Sequence, residues 1–292
     1  KIHDKGADGD CFFLCVAAAF NSINIDMSVS KLRSMISDNL DQNQFKTYKE
    51  LYEGTINELT QNEKKIEILK KENLEISKKH KEKVVNAKKE KDKPTQKIML
   101  KEIKELSTKH KKNKVSIKNL LNESKYANEN VNEFSFMKGI NNLNKLKNLI
   151  KKEKSAFWAD SYAIQKLEIL LNTKFIILSN KLYEQGKYDE VIQCPDMVPD
   201  IVEKNKIFNP KYYILLDYVG NIHYRVVEYK DKLMLRFHDI PYSIKNGIVE
   251  RCMKGRGKSI YNYIPKFSKI IGEIIEIKKN EEKEEKDEEK EE

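Results

Sequence analysis

Cys11 stands between a turn-forming triplet, Asp8-Gly9-Asp10, and an apolar run that continues to Phe20 as Cys-Phe-Phe-Leu-Cys-Val-Ala-Ala-Ala-Phe. A cysteine in the first turn of a buried helix meets unpaired backbone N–H groups and the positive end of the helix dipole, and both favour a thiolate. This placement predicts a lowered thiol pKa at Cys11. Gly9 in the turn before it lets neighbouring amides face the same space, as an oxyanion hole requires. Such a nucleophile needs a base. His223 lies in the alternating segment Gly-Asn-Ile-His-Tyr-Arg-Val-Val, just after a turn, where one strand face is core and the other can meet a cleft. Each residue also has a plainer use, since a cysteine at the edge of an apolar run packs and a strand histidine can be structural.

The remaining candidates carry less. Cys15 lies one turn along from Cys11 and is expected in the core, while Cys194 and Cys252 have no histidine nearby in sequence. The spacing offers no Cys-x-x-Cys pair, so neither zinc nor any cofactor is expected, and four scattered cysteines predict reduced thiols rather than a disulfide framework. His80 and His110 fall in a charged helical region, and His238 follows a strand without an evident partner. Lys254-Gly255-Arg256-Gly257-Lys258-Ser259 lacks the spacer of a phosphate loop and reads as a basic turn.

The elements that must position Cys11 and His223 follow from periodicity. Residues 11–20 predict a helix buried on all sides, and Ser28 to Leu40 an amphipathic second helix capped by Ser28 or Ser30. From 46 to about 125, Lys, Glu and Asn dominate. Apolar residues recur thinly at Ile56, Leu59, Ile66, Leu69, Leu74 and Ile76, then at Ile98, Leu100, Ile103, Leu106, Val115, Ile117, Leu120 and Leu121. Pro94 interrupts the pattern, which predicts an antiparallel helical hairpin inserted as an arm. Beyond it, a helix is expected over 136–150 and another introduced by Trp158-Ala159-Asp160 and running through Leu171, with strands at 175–178, 212–218, 222–229 and 233–237, and a helix over 243–253.

Charged residues make up 35% of the 292-residue chain, so much of it must be solvated surface. The net charge of +10 hides a local −5 over residues 279–292, which predict a charged, unstructured tail. Most of the basic excess lies on the predicted arm, where it reads as solvated helix surface, and no nucleic-acid readout motif accompanies it. The apolar run at 11–20 is too short to span a membrane, and Asp4, Asp8 and Asp10 upstream argue against a signal peptide. A cytoplasmic or nuclear protein is expected. Its Lys, Asn and Ile richness suggests an AT-biased genome such as that of a large DNA virus or a parasite.

Four fragments in order resemble the ovarian-tumour (OTU) family of cysteine deubiquitinases. Asp8-Gly9-Asp10-Cys11-Phe12-Phe13 resembles the family's nucleophile motif, and Lys31-Leu32-Arg33 its Leu-Arg element. Trp158-Ala159-Asp160 with Phe175-Ile176-Ile177 is similar to its Trp loop, helix and strand, and Tyr213 to Leu216 followed by His223-Tyr224 to its closing strand and catalytic histidine. The resemblance covers roughly residues 4–45 and 130–240. It implies an α+β, papain-like OTU fold divided as 1–45 and 126–240, with the hairpin over 46–125, a helical extension over 241–278 and the tail over 279–292.

It further implies Cys11 as nucleophile, His223 as base, and Asp8 as the motif aspartate whose N–H lines the oxyanion hole with that of Cys11. Trp158 and Tyr224 are assigned to substrate, the partner is ubiquitin or polyubiquitin, and the arm would recruit a further protein. One departure stands out: where many members carry Asn or Asp two residues after the histidine, this chain has Arg225, which cannot accept an imidazole N–H. The orienting acceptor is then Asp8, Asp4, Asn221 or a backbone carbonyl, or there is none. Rival expectations are a catalytically weak ubiquitin-binding module, a cysteine protease of another modifier or of peptides, and a coiled-coil interaction protein with a passive globular end.

Overall fold

A computed structural model describes residues 1–6, 8–195, 198–220, 222–254 and 259–271. It is of mixed α and β composition, with a small four-stranded sheet and a long helical hairpin. Asn221, the glycine turn at 255–258 and the charged tail therefore lie outside the described residues. The chain divides into two units, Asp41–Leu143 and the flanking Lys1–Leu40 with Asn144–Glu292.

In the flanking unit, β1 is Ile2–His3, α1 Cys11–Asn21 and α2 Val29–Asp38. In the second unit, α3 spans Gln42–Lys89 and α4 Lys93–Glu133. Each long helix starts where a carboxylate satisfies an orphan N–H: Asp41 accepts from Gln44 (2.8 Å) and Asp92 from Thr95 (3.0 Å), with Pro94 in the first turn of α4. The two run antiparallel, as the cross-links Lys83–Glu102 and Asn113–Glu72 require. They begin and end outside the predicted 46–125. Their seam is also thinner than predicted, burying Ile66, Ile76, Ala87 and Ala127 with Asn62 and Asn113, while Leu74, Ile98 and Leu100 remain exposed. A two-helix hairpin covers only a narrow stripe of each partner, so outlying apolar positions have nothing to pack on. The aromatic rings of Tyr48, Phe134 and Phe136 cluster at its base. The single helix predicted over 136–150 is broken: Ser135–Met137 forms a 3-10 turn, Gly139 takes a φ of +77°, and α5 begins only at Leu143, running to Lys151.

The rest of the flanking unit comprises α6 (Ser161–Leu170), β2 (Thr173–Ser179), α7 (Asn180–Glu184), α8 (Asp200–Asn205), β3 (Tyr212–Val219), β4 (His223–Val227) and α9 (Tyr242–Ile248). The strands order β1-β4-β3-β2, with β2 parallel to β3 and the other pairs antiparallel. Tyr213 to Leu216 are buried throughout because both faces of β3 are covered. On one face α1 lays Phe12 against Phe175 and Tyr224, at 5.2 and 5.4 Å between ring centres. On the other, Ile176, Tyr213 and Leu215 pack with Ile248, Val249, Cys252, Tyr261, Ile264 and Phe267. The region predicted as an extension after 240 is thus part of the core. A buried ion pair, Lys174 Nζ to Glu168 Oε1 at 2.5 Å, fastens α6 to β2.

Two expectations are corrected in this unit. The strand predicted over 233–237 reduces to a single bridge between Leu235 and Tyr213, because the Asp239 carboxylate accepts the Arg236 N–H at 2.8 Å and turns the chain into a 3-10 helix at Phe237–Asp239. The four cysteines are not all free: Cys194 and Cys252, separated by 58 residues, form a disulfide that ties the segment after α7 to the π-helical stretch Val249–Met253 that continues α9. Sequence distance concealed that the fold returns these segments to one another.

Candidate active site

The apolar faces of α1 seat its N-terminus on β4. Cys11 and Cys15 are the two free cysteines, both buried, and Cys11 is 2% exposed. In an antiparallel ladder alternate residues turn their N–H and C=O away from the neighbouring strand. Tyr224 is paired with Tyr218, and β1 reaches β4 only at Val226 and Val227, so the outward backbone groups of Tyr224 meet α1. The Cys15 thiol donates to the Tyr224 carbonyl at 3.5 Å, and the Tyr224 N–H is the first of the backbone groups that favour a Cys11 thiolate. The two cysteines thereby bracket the residue that follows His223.

The thiol does not have the lowered pKa that its helix position predicts. Burial pushes the Cys11 pKa up, and the Asp4 charge adds to that, against the N–H groups of Tyr224, Phe12 and Cys11, which pull it down. Desolvation outweighs the helix terminus, because in a poorly solvated site the charged form loses more than a few amides restore. The Cys15 thiol, deeper in the core, is pushed up to about 12. No hydrogen bond joins the Cys11 sulfur to the His223 ring among the described residues.

His223 does have an acceptor. Its Nε2 lies 2.9 Å from Asp4 Oδ2, while Asp4 Oδ1 accepts the Gly6 N–H at 3.0 Å in an Asx turn. A carboxylate only accepts, so the contact fixes the imidazole proton on Nε2 and leaves Nδ1 as the basic nitrogen. The Gly6 N–H and then His223 hold the Asp4 carboxyl below the usual range. Strand β1 brings Asp4 there: His3 pairs with Val226, which carries Asp4 to the level of Arg225 on the His223 side of the sheet. Asp8, the aspartate assigned by resemblance, is exposed, and the carboxylate on the imidazole is Asp4. Arg225 instead pairs with Asp217, its cross-strand neighbour, with Nε–Oδ2 at 2.9 Å and Nη2–Oδ2 at 2.5 Å. Its charge also favours the ionised Asp4.

Arg33 builds the approach to Cys11. Fully buried, it donates through Nε to Asp10 (2.6 Å), through Nη1 to Ile150 O and Ser155 Oγ (3.0 and 3.1 Å), and through Nη2 to Gly9 O and Phe157 O (both 3.1 Å). All five guanidinium donors are thus engaged. Asp10 Oδ2 accepts from the Lys154 N–H at 2.8 Å, so the turn before Cys11 and the loop before Trp158 are held as one piece. Gly9 makes their close approach possible: it has a φ of +83°, and a Cβ there would lie 2.7 Å from Ser155 O and 3.5 Å from the Trp158 indole nitrogen. Trp158 is 43% exposed, and Tyr224 stacks on Tyr218 with ring centres 4.6 Å apart.

In the sequence Asp4 is only one of several candidate acceptors and Arg33 only a motif residue. The Asp4-x-Gly6 turn was the signal available for the first, and none marked the five partners of the second. Comparison with family models, with curated proteins and with solved structures found no match to the chain.

Proposed function

We propose that this protein is a thiol-dependent isopeptidase acting at the C-terminal glycine of ubiquitin, as its resemblance to the OTU family implies. The observation that supports it most is the convergence on β4 of a helix-terminal cysteine, against the Tyr224 backbone, and a histidine, in the adjacent residue, whose far nitrogen is held by Asp4. Cys11 gives its proton to His223 Nδ1 as sulfur attacks the glycine carbonyl carbon. The N–H groups of Cys11 and Asp8 receive the developing oxyanion. Collapse of the tetrahedral species breaks the C–N bond, and the imidazolium protonates the departing lysine amine. Water, deprotonated by the imidazole, then hydrolyses the thioester, returning the thiol and releasing the ubiquitin carboxylate. Trp158 and Tyr224 line the entry of the substrate tail.

The raised pKa of Cys11 makes the resting group a neutral thiol, so proton transfer accompanies substrate entry rather than preceding it. The same burial favours a second reading, in which the domain binds ubiquitin with little turnover. A ubiquitin probe bearing a C-terminal thiol-reactive warhead decides between them. The enzyme reading expects labelling of wild type, none of Cys11→Ala, and strongly slowed labelling of His223→Ala. Labelling that persists in Cys11→Ala, or an unlabelled wild type, would overturn it. An unlabelled wild type that still perturbs the amide spectrum of ubiquitin would establish the binding module.

A further inference from the structure

At the end of the sheet opposite His223 the molecule carries a cleft. Asn172 and Lys211 immediately precede β2 and β3 and are joined by the Lys211 N–H to Asn172 carbonyl bond at 2.8 Å. His223 pairs with the other end of β3 at Val219, so a strand of eight residues separates the two places, roughly 25 Å. The cleft has a volume of about 660 Å³, within the usual span for small-molecule sites, and is lined by Asn172, Lys211, Arg236, Phe237, His238 and Lys266.

The cations at its rim rest on aromatic rings. Arg236 lies over the Tyr212 ring at 4.3 Å, and Lys211 Nζ lies 5.2 Å from the same ring centre. Lys266 and Lys245 approach the Phe237 ring at 5.8 and 5.1 Å. Among the described residues none of these four cations has a carboxylate within ion-pair distance. The nearby acid, Asp239, is already engaged: Oδ1 takes Lys232 at 2.6 Å, with His238 3.6 Å away, and Oδ2 takes the Arg236 N–H at 2.8 Å. Aromatic faces hold the cationic side chains without neutralising them, and Arg236 Nη1 donates to the Lys211 carbonyl at 3.4 Å, so among the described residues the positive charge at the cleft is left for a ligand.

We propose that this cleft binds a small soluble ligand carrying two or more phosphate groups, with Arg236, Lys211 and Lys266 as its principal contacts. A planar guanidinium donates bidentately to a phosphate, and two ammonium groups beside it match a compact multiple charge better than a single carboxylate does. The rings of Tyr212 and Phe237 are occupied by cations, so recognition rests on the charged groups rather than on stacking of a base.

Calorimetry on the full chain with inorganic tripolyphosphate tests this at about 0.15 M salt, where diffuse surface attraction is screened. Wild type is expected to bind one equivalent saturably. Arg236→Gln/Lys266→Gln should weaken binding about tenfold or more, whereas Lys88→Gln/Lys89→Gln, the same charge change on the arm, should leave it within about twofold. Should the double variant fail to fold, Lys266→Gln alone is expected to weaken binding several-fold. No binding by wild type, or equal weakening by the arm substitutions, would overturn the proposal. So would RNA or anionic vesicles that bind through Arg236 and Lys266 while tripolyphosphate fails to compete, since the surface would then serve a polymer or a membrane.

Discussion

Asp4 Oδ2 and His223 Nε2 lie 2.9 Å apart, although 219 residues separate them in the chain. The contact exists because two residues of β1 pair with β4, placing the Asp4 carboxylate on the imidazole. If His223 is the base, Asp4→Asn should preserve the fold and lower the rate of probe labelling about 10- to 1,000-fold, because the amide can offer its NH₂ to Nε2 and favour the wrong tautomer. Asp8→Asn should have a much smaller effect. Equal losses in the two variants would remove Asp4 from the orienting role. Since the Asp4 carboxyl titrates below the usual carboxylate value of about 4, its protonation should leave no limb in the wild-type pH–rate profile above about pH 5.

What the sequence made legible follows how each signal is written in the chain. Helix α1 could be read because ten apolar residues run without interruption, and α2 because Ser28 caps it, its Oγ accepting the Lys31 N–H at 3.1 Å. The hairpin could be read from Pro94 and the thin apolar recurrence on either side of it. By contrast β1 is two residues long and has no periodicity to detect, so the register that delivers Asp4 could not be foreseen. The direction of the Cys11 pKa shift was missed for a related reason. Helix-terminal stabilisation is a local property, whereas the desolvation that exceeds it comes from segments distant in sequence. Arg225 looked like a broken triad position because its partner, Asp217, is fixed only by the β3–β4 register.

The buried thiols predict a definite alkaline behaviour. A thiol whose folded pKa is raised stays protonated after the unfolded chain has ionised, so stability is full below the unfolded value of about 8.5 and falls as pH rises above it. For Cys15, pushed up to about 12, the decline extends across most of the interval from pH 9 to 12. Urea unfolding midpoints should drop between pH 8 and pH 10 in wild type and drop less in Cys15→Ala. At neutral pH iodoacetamide should modify Cys11 slowly and Cys15 more slowly still. Rapid alkylation of Cys11 at pH 7 would contradict its neutral, desolvated state.

The Cys194–Cys252 bond adds a covalent link to the core beneath the sheet. Protein unfolded without reductant should take up two alkylating groups, at Cys11 and Cys15, and four after reduction. Cys194→Ala should lower stability by about 2–4 kcal/mol, the usual effect of opening a loop of this kind. Four groups without reductant would show the pair to be open. Because the link lies across the sheet from α1, neither reduction nor Cys194→Ala should alter the Cys11 alkylation rate below the melting transition.

Arg33 offers the sharpest separation of architecture from chemistry. Its five donors reach partners drawn from 9–10 and 150–157, and its carboxylate partner Asp10 is itself only 4% exposed. Arg33→Met would leave Asp10 buried without its counter-ion and three carbonyls unpaired, a loss of about 3–5 kcal/mol by the measure of broken buried pairs. Arg33→Lys keeps the charge but replaces a planar five-donor fork by a point charge with three donors, so it should recover only part of the loss. Gly9→Ala probes the same joint from the other side. Its Cβ would meet Ser155 O at 2.7 Å at a φ of +83°, which should cost about 1–3 kcal/mol and displace the Trp158 loop. Urea denaturation measures the first effect, and Trp158 fluorescence, from the single tryptophan of the chain, reports the second. An Arg33→Met variant as stable as wild type would show that the clamp does not hold the two loops, and with it would go the account of how the turn before Cys11 is shaped.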